Sequence, residues 1–302
     1  MQKYNLYQID SFTKKKFLGN PAGVVSNADG LTEQEMQKIA RELNNSETAF
    51  ILPPNVEGSD VQVRFFTPLK EVPICGHATI AAHYVLALEK NFKEKTCIKQ
   101  STKAGVLPVD IEPVGEKDYK ITMTQGKVEF LNEIQGELLE KLLSALGIKN
   151  VDLINNAPVQ VVSTGHSKVM IGIKNYSQLH NLKPNMKELA LLSEDVKCNG
   201  YFVFTFDTEE EDTLVKGRMF APAIGIDEDP VTGNANGPVG AYIVKYKLAD
   251  FSGNTLKFKG KQGLSIGRDG EIEVEVTIEN DEPVQVKVSG SAVCVFKCEL
   301  EL

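Results

Sequence analysis

One stretch of this chain occurs twice. Glu71-Val72-Pro73-Ile74-Cys75-Gly76-His77-Ala78 aligns without a gap to Glu228-Asp229-Pro230-Val231-Thr232-Gly233-Asn234-Ala235. Upstream, Phe66-Thr67-Pro68 is mirrored by Phe220-Ala221-Pro222, and downstream each copy runs into a helical pattern, Ala78 to Glu89 and Val239 to Tyr246. A duplication of this order (aromatic-x-Pro, short loop, Glu-x-Pro-x-x-Gly, helix) predicts two similar halves. The 302 residues are enough for each half to bury its own core. The division is expected near residue 115, with residues 1–115 as the N-terminal half, completed by a last strand at about 288–302, and 116–287 as the C-terminal half. A pseudo-twofold relation predicts that the two motifs face each other across a cleft, the kind of place where small-molecule sites form.

Between and around the motifs, strand patterns dominate. They run Tyr4 to Asp10, Thr48 to Leu52, Val61 to Phe66, Val106 to Ile111, Tyr119 to Met123, Val159 to Val162, Lys168 to Ile173, Tyr201 to Phe206, Glu271 to Ile278 and Val284 to Val288. Helical periodicity appears at Thr32 to Leu43, Gly136 to Leu146 and Met186 to Leu192 besides the two motif helices. Strands interrupted by occasional helices indicate an α+β fold with antiparallel or mixed sheets.

Charge and leader signals exclude several classes. Acidic residues outnumber basic ones, 41 to 33, and no basic cluster interleaves with aromatics, so nucleic acid is not expected as a partner. The N-terminus alternates polar and apolar residues like a strand, and the most apolar segment, Ala78 to Leu88, falls short of the ~20 residues of a span, so no membrane segment is expected. Five scattered cysteines without paired spacing read as reduced thiols in the cytoplasm. Four histidines without an HxH or HExxH pattern give no reason to expect a metal.

The chemistry is expected at the two glycine-marked helix starts. Gly76 and Gly233 permit tight turns and leave first-turn N–H groups for an anion. His77 follows the first glycine at the positive helix end, which favours neutral imidazole, able to donate a hydrogen bond or shuttle a proton. Asp229 replaces Val72 of the first copy; it either orients a neighbour, binds substrate, or complements the coming helix. Glu47 heads the strand Thr48 to Leu52, and strand alternation groups it with Ala49 and Ile51: facing inward it is a buried acid/base, facing outward a surface carboxylate. Cys75 and Thr232 occupy equivalent positions. Two thiols there would suit racemisation, one per substrate face, but Thr232 is no thiol base. His83 reads as a core residue, and no chemical role is expected for His166, His180, Cys294 or Cys298.

Gly19-Asn20-Pro21-Ala22-Gly23-Val24, Ser46-Glu47-Thr48-Ala49-Phe50, Arg64-Phe65-Phe66-Thr67-Pro68 and the two repeated motifs together resemble the phenazine-biosynthesis PhzF-like family across the whole chain. The resemblance implies a diaminopimelate-epimerase-like fold, with a sheet wrapped around a central helix in each of two pseudo-symmetric halves, and a homodimer. It implies a cofactor-independent isomerase like the member that acts on trans-2,3-dihydro-3-hydroxyanthranilate, moving a proton with one glutamate. By motif that glutamate is Glu47, supported by His77 and Asp229. Cys75, Gly76, Thr232, Gly233, Asn234 and Asn20 are the matching candidates for binding a small anionic substrate. Asn234 stands where that member has serine. A racemase or epimerase is the alternative enzyme; a binding protein that kept the fold, as a eukaryotic relative of the family suggests, is the alternative outside enzymes.

Overall fold

The computed structural model describes residues 2–251 and 253–302. The chain forms two compact units, Met1–Thr124 with Ser289–Leu302, and Gln125–Val288.

In the first unit, β1 (Lys3–Ser11) lies antiparallel to β2 (Asn20–Val25). A crossover through α1 (Glu33–Leu43) sets β3 (Thr48–Leu52) parallel to β2. β4 (Val61–Phe66) pairs antiparallel with β3 and with the short β5 (Glu71–Val72). After α2 (Gly76–Lys90), β6 (Thr96–Thr102) runs parallel to β4, and β7 (Gly105–Gly115) and β8 (Asp118–Thr124) complete a meander. The last strand of the chain, β18 (Ala292–Glu301), closes on the other side of β1. Each local choice has a cause. Thr32 and Glu35 form a reciprocal capping box that starts α1, and Asn44 ends it in the left-handed conformation. α2 is buried on every side from Gly76 to Ala87 and packs on β1, β2, β3, β7 and β8, so the sheet wraps around it.

The second unit opens with β9 (Glu129–Glu133) and α3 (Gly136–Leu146), then repeats the same plan. β10 (Gln160–Ser163) is antiparallel to β11 (Ser167–Gly172), and a crossover through α4 (Tyr176–His180) and α5 (Met186–Val196) sets β12 (Tyr201–Thr205) parallel to β11. β13 (Thr213–Ala221) is antiparallel to β12 and to β14 (Ile226–Asp229). After α6 (Gly233–Tyr246), β15 (Thr255–Gln262) runs parallel to β13, followed by β16 (Gly270–Glu279) and β17 (Glu282–Gly290). α6 packs on β10, β11, β15 and β16 as the buried centre of its own sheet. The fold is thus α+β, with the mixed strands of each unit wrapped around one helix. Among the described residues no helix is long and apolar enough to cross a membrane.

The repeat extends to side chains that the sequence patterns did not single out. Arg64 Nε and Nη2 donate to the two carboxylate oxygens of Glu71 at 2.8 and 2.7 Å, while the guanidinium lies 5.1 Å from the Phe66 ring centre. Arg218 does the same to Glu228 at 3.0 and 2.7 Å, 4.9 Å from the Phe220 ring. These bidentate pairs fasten β4 to β5 and β13 to β14, the hairpins that lead into the two helix starts. Burial opposes ionisation of Glu71, but Arg64 and Lys103 hold its carboxyl below the ordinary glutamate value.

Both motif helices open at the expected glycines, Gly76 and Gly233, ahead of the periodic stretches that begin at Ala78 and Val239. The difference is largest in Gly233-Asn234-Ala235-Asn236-Gly237-Pro238, which holds two glycines, two asparagines and a proline, all poor helix formers. Tertiary bonds hold this turn instead. Asn236 Nδ2 donates to Thr232 O at 3.0 Å, and Gln125 Nε2 to Gly233 O at 2.9 Å. Gly237 is required for the second contact, since a Cβ there would lie 1.8 Å from Gln125 Oε1.

Candidate active site

The N-terminal half-site is assembled by the start of α2 and the residues before β3. Glu47 is held in place through its carbonyl, which accepts from Gly23 N–H at 3.4 Å; its side chain is 15% exposed. The carboxylate lies 3.5 Å from His77 Nε2, and Ser46 Oγ lies 3.3 Å from the same nitrogen. Cys75 Sγ is 3.4 Å from His77 Nδ1. The His77 backbone is pinned in turn, its carbonyl accepting from the buried Ser11 hydroxyl at 2.8 Å. Ser11 pairs across the β1–β2 ladder with the buried Asn20. Gly19 makes that approach possible: its φ is +64°, and a Cβ would sit 2.2 Å from Ser11 O.

The C-terminal half-site is a buried polar network. The Thr232 hydroxyl donates to the Asp229 carboxylate in a short hydrogen bond, and both residues are at most 9% exposed. Gln262, fully buried at the end of β15, joins the strands around them. Its Nε2 donates to Asp229 O at 2.7 Å and Thr232 Oγ1 at 3.1 Å, while its Oε1 accepts from Thr232 N at 3.1 Å and Asn236 Nδ2 at 2.9 Å. Asn234, half-buried, has its side-chain oxygen 3.5 Å from Gln125 Nε2. Lys168 adds a half-buried amine to this unit. Its Nζ donates to Ser167 O at 3.0 Å; burial drives the ammonium below the ordinary lysine value, against the opposing charges of Cys198 and Asp229.

Neither N-cap side chain serves its helix. Cys75 and Thr232 make no capping hydrogen bond, and neither first turn carries an acidic residue. The thiol is turned to His77 and the hydroxyl to Asp229, so neither side chain accepts from the first turn of its own helix. Sequence reasoning located Glu47, Cys75, His77, Asp229, Thr232 and Asn234, but not Ser11, Gln125, Lys168, Gln262 or the function of Ser46. Ser46 was visible only as a motif neighbour, and Gln262 lies 30 residues from Thr232 with no motif of its own.

His83 and His180 serve the scaffold. His83 Nδ1–H donates to Thr79 O at 3.0 Å within α2, its Nε2 has no hydrogen-bond partner, and burial pulls its pKa down to about 4. The His180 carbonyl is one of three that Arg218 Nη1 gathers at the end of α4. Among the described residues, Glu47, Cys75 and His77 form a group with metal-donor atoms within 4.8 Å of one another.

Comparison with known proteins defines the class and then the family. The fold is that of solved PhzF-type proteins: a Bacillus anthracis phenazine biosynthesis protein of the PhzF family superposes with a TM-score of 0.89 at 35% identity, each chain covered completely. The chain belongs to the phenazine biosynthesis-like protein family, PhzC-PhzF, whose model matches residues 9–298. An uncharacterized isomerase of Clostridium acetobutylicum is 63% identical over 302 residues, covering 100% of this chain and 99% of that protein. The trans-2,3-dihydro-3-hydroxyanthranilate isomerase of Pseudomonas aeruginosa is 28% identical over 283 residues, covering 94% of each. The protein is an enzyme of the isomerase type.

Proposed function

We infer that this isomerase moves a proton on a small carboxylate-bearing substrate without a bound cofactor, using Glu47 as the acid/base. The observation that carries this reading is the half-buried Glu47 carboxylate held 3.5 Å from His77 at the uncapped start of α2. A carboxyl group in that setting can take a proton from carbon and return it at another position. His77 donates to substrate or to Glu47 through Nε2 and holds the carboxylate in place. The first-turn N–H groups behind Cys75-Gly76 and Thr232-Gly233-Asn234 receive the substrate's carboxylate, with Asn20 fixing the His77 backbone through Ser11. Asp229, oriented by Thr232 and Gln262, accepts a hydrogen bond from a substrate N–H or O–H. The enzyme works as a homodimer in the cytoplasm.

The test is solvent-hydrogen exchange. Cyclic and acyclic unsaturated amino and hydroxy acids, trans-2,3-dihydro-3-hydroxyanthranilate among them, are incubated with enzyme in deuterated buffer and followed by NMR. The wild type incorporates deuterium or rearranges one of them, and Glu47→Gln lowers that rate at least about 100-fold with an unchanged melting temperature. Full activity of Glu47→Gln on a substrate the wild type turns over refutes the assignment.

A further inference from the structure

We propose that Cys75, His77 and Glu47 form an inhibitory zinc site at the start of α2. The Cys75 thiolate, one His77 ring nitrogen and one Glu47 carboxylate oxygen are its three protein ligands, with water in the fourth position. A bound ion occupies the carboxylate that acts on substrate. The inhibition therefore rests on the reading of Glu47 as acid/base, whereas the binding does not.

The donors are of the types that hold zinc: one sulfur, one nitrogen and one oxygen. They come from separate segments of the first unit, and one donor atom of each lies within 4.8 Å of the other two. Two ligands on one tetrahedral zinc stand about 3.4–3.6 Å apart, given bonds of about 2.0–2.3 Å. Cys75 Sγ and His77 Nδ1 already have that spacing, at 3.4 Å. The carboxylate has to close by about an ångström, which rotation of the glutamate side chain supplies.

The surroundings order these ligands before an ion arrives. With Nδ1 on the ion, Nε2–H donates to Ser46 Oγ at 3.3 Å, the outer hydrogen bond that sets the tautomer and ring plane of a metal-bound histidine. The backbone is held as well. The Cys75 carbonyl accepts from Thr79 Oγ1 at 2.7 Å and the His77 carbonyl from Ser11 Oγ at 2.8 Å. The positive end of α2 works against a cation here. Two anionic ligands offset it: the thiol proton leaves to solvent as the S–Zn bond forms, and thiolate and carboxylate together neutralise the dication.

The experiment titrates the chelator-treated full chain with Zn²⁺ by calorimetry and with Co²⁺ by absorption, where a thiolate ligand gives a sulfur-to-cobalt charge-transfer band. The wild type should take up one ion per chain and show the band. Cys75→Ser, nearly isosteric, should abolish the band and weaken binding at least about tenfold, and Glu47→Gln should weaken it as much and serves if the serine variant does not fold. Ser46→Ala, which removes no ligand, should weaken binding by about tenfold. Cys97 and Cys298 are exposed and offer the competing explanation. A band and affinity unchanged in Cys75→Ser put the ion on those surface thiols and overturn the site, as does the absence of saturable binding. Equimolar Zn²⁺ should also stop deuterium exchange by the wild type, and chelator should restore it; exchange that continues on the zinc-loaded chain overturns the inhibition. The Glu47→Gln exchange comparison is run on metal-free protein, so failure of the acid/base reading appears there and failure of the zinc site in the titrations.

Discussion

Replacing Gln262 by leucine isolates the contact that holds the C-terminal half-site together. The side chain is fully buried and makes four hydrogen bonds, to Asp229 O, Thr232 Oγ1, Thr232 N and Asn236 Nδ2. Leucine fills most of the same volume, so the cavity contribution is small and the change is chiefly polar. Two of the four partners keep another bond: Asn236 Nδ2 still reaches Thr232 O, and the Thr232 hydroxyl still reaches the Asp229 carboxylate. The Thr232 N–H loses its acceptor, and the Asp229 carbonyl loses the Gln262 donor. A buried polar group left unsatisfied costs about 1–3 kcal/mol, so Gln262→Leu is expected to destabilise its unit by about 2–4 kcal/mol. Urea unfolding followed by far-ultraviolet circular dichroism measures this as a lower midpoint at unchanged slope. Amide exchange adds the local readout, because the Thr232 N–H should lose its protection. Gln262→Glu is the control. As a carboxylate it can accept from Thr232 N–H and Asn236 but cannot donate to Asp229 O, so its stability relative to wild type should improve as acidification makes it a donor. A loss below about 1 kcal/mol in Gln262→Leu, with Thr232 still protected, refutes the claim that Gln262 organises the loop.

His83 makes stability depend on acidity. Its pKa in the folded chain is about 4, below the ordinary 6.5, so between these values the unfolded chain binds the extra proton; stability is complete above about 6.5 and is lost as pH falls toward 4, by about 3 kcal/mol at most. His83→Asn, which can keep a donor toward Thr79 O and cannot charge, should flatten the unfolding free energy against pH in that window, and an unchanged slope contradicts the assignment. Gly19→Ala is expected to cost at least about 2 kcal/mol by denaturant titration, since the added Cβ meets backbone Ser11 O at 2.2 Å in a left-handed conformation; a neutral result means that the β1–β2 corner yields. Asp229→Asn and His77→Ala should each lower deuterium exchange at least about tenfold while the melting temperature stays within a few degrees. Loss of folding in both variants would show that these residues are structural.

The candidate residues were legible where they lie close together in a repeated local pattern. Glu-x-Pro-x-x-Gly before a helix carries its own instructions, because proline restricts the approach and glycine opens the helix with free N–H groups. Two copies of it imply two similar units whatever the rest of the chain does. The same comparison holds a stronger signal in Arg64-Phe65-Phe66-Thr67-Pro68 and Arg218-Met219-Phe220-Ala221-Pro222, whose arginines pair with Glu71 and Glu228. The first turns of the second motif helix were less legible as helix. Gly233 to Pro238 has almost no intrinsic preference for helix, and only bonds from Gln125 and within the Asn236 network make it one.

The sequence by itself therefore determined the duplication, the family signature and the identity of Glu47, Cys75, His77, Asp229 and Thr232 as the polar residues worth watching. It could not say which way Glu47 turns, because strand alternation offers two faces and only packing chooses between them; the fold brings that carboxylate to His77, 30 residues away in sequence. Nor could it supply Gln262, which reaches Thr232 because β15 runs parallel to β13, opposite Gly217. Local patterns are set by backbone geometry over a few residues. Hydrogen bonds between distant side chains exist only after two sheets have closed around their helices and excluded the water that would otherwise compete for them.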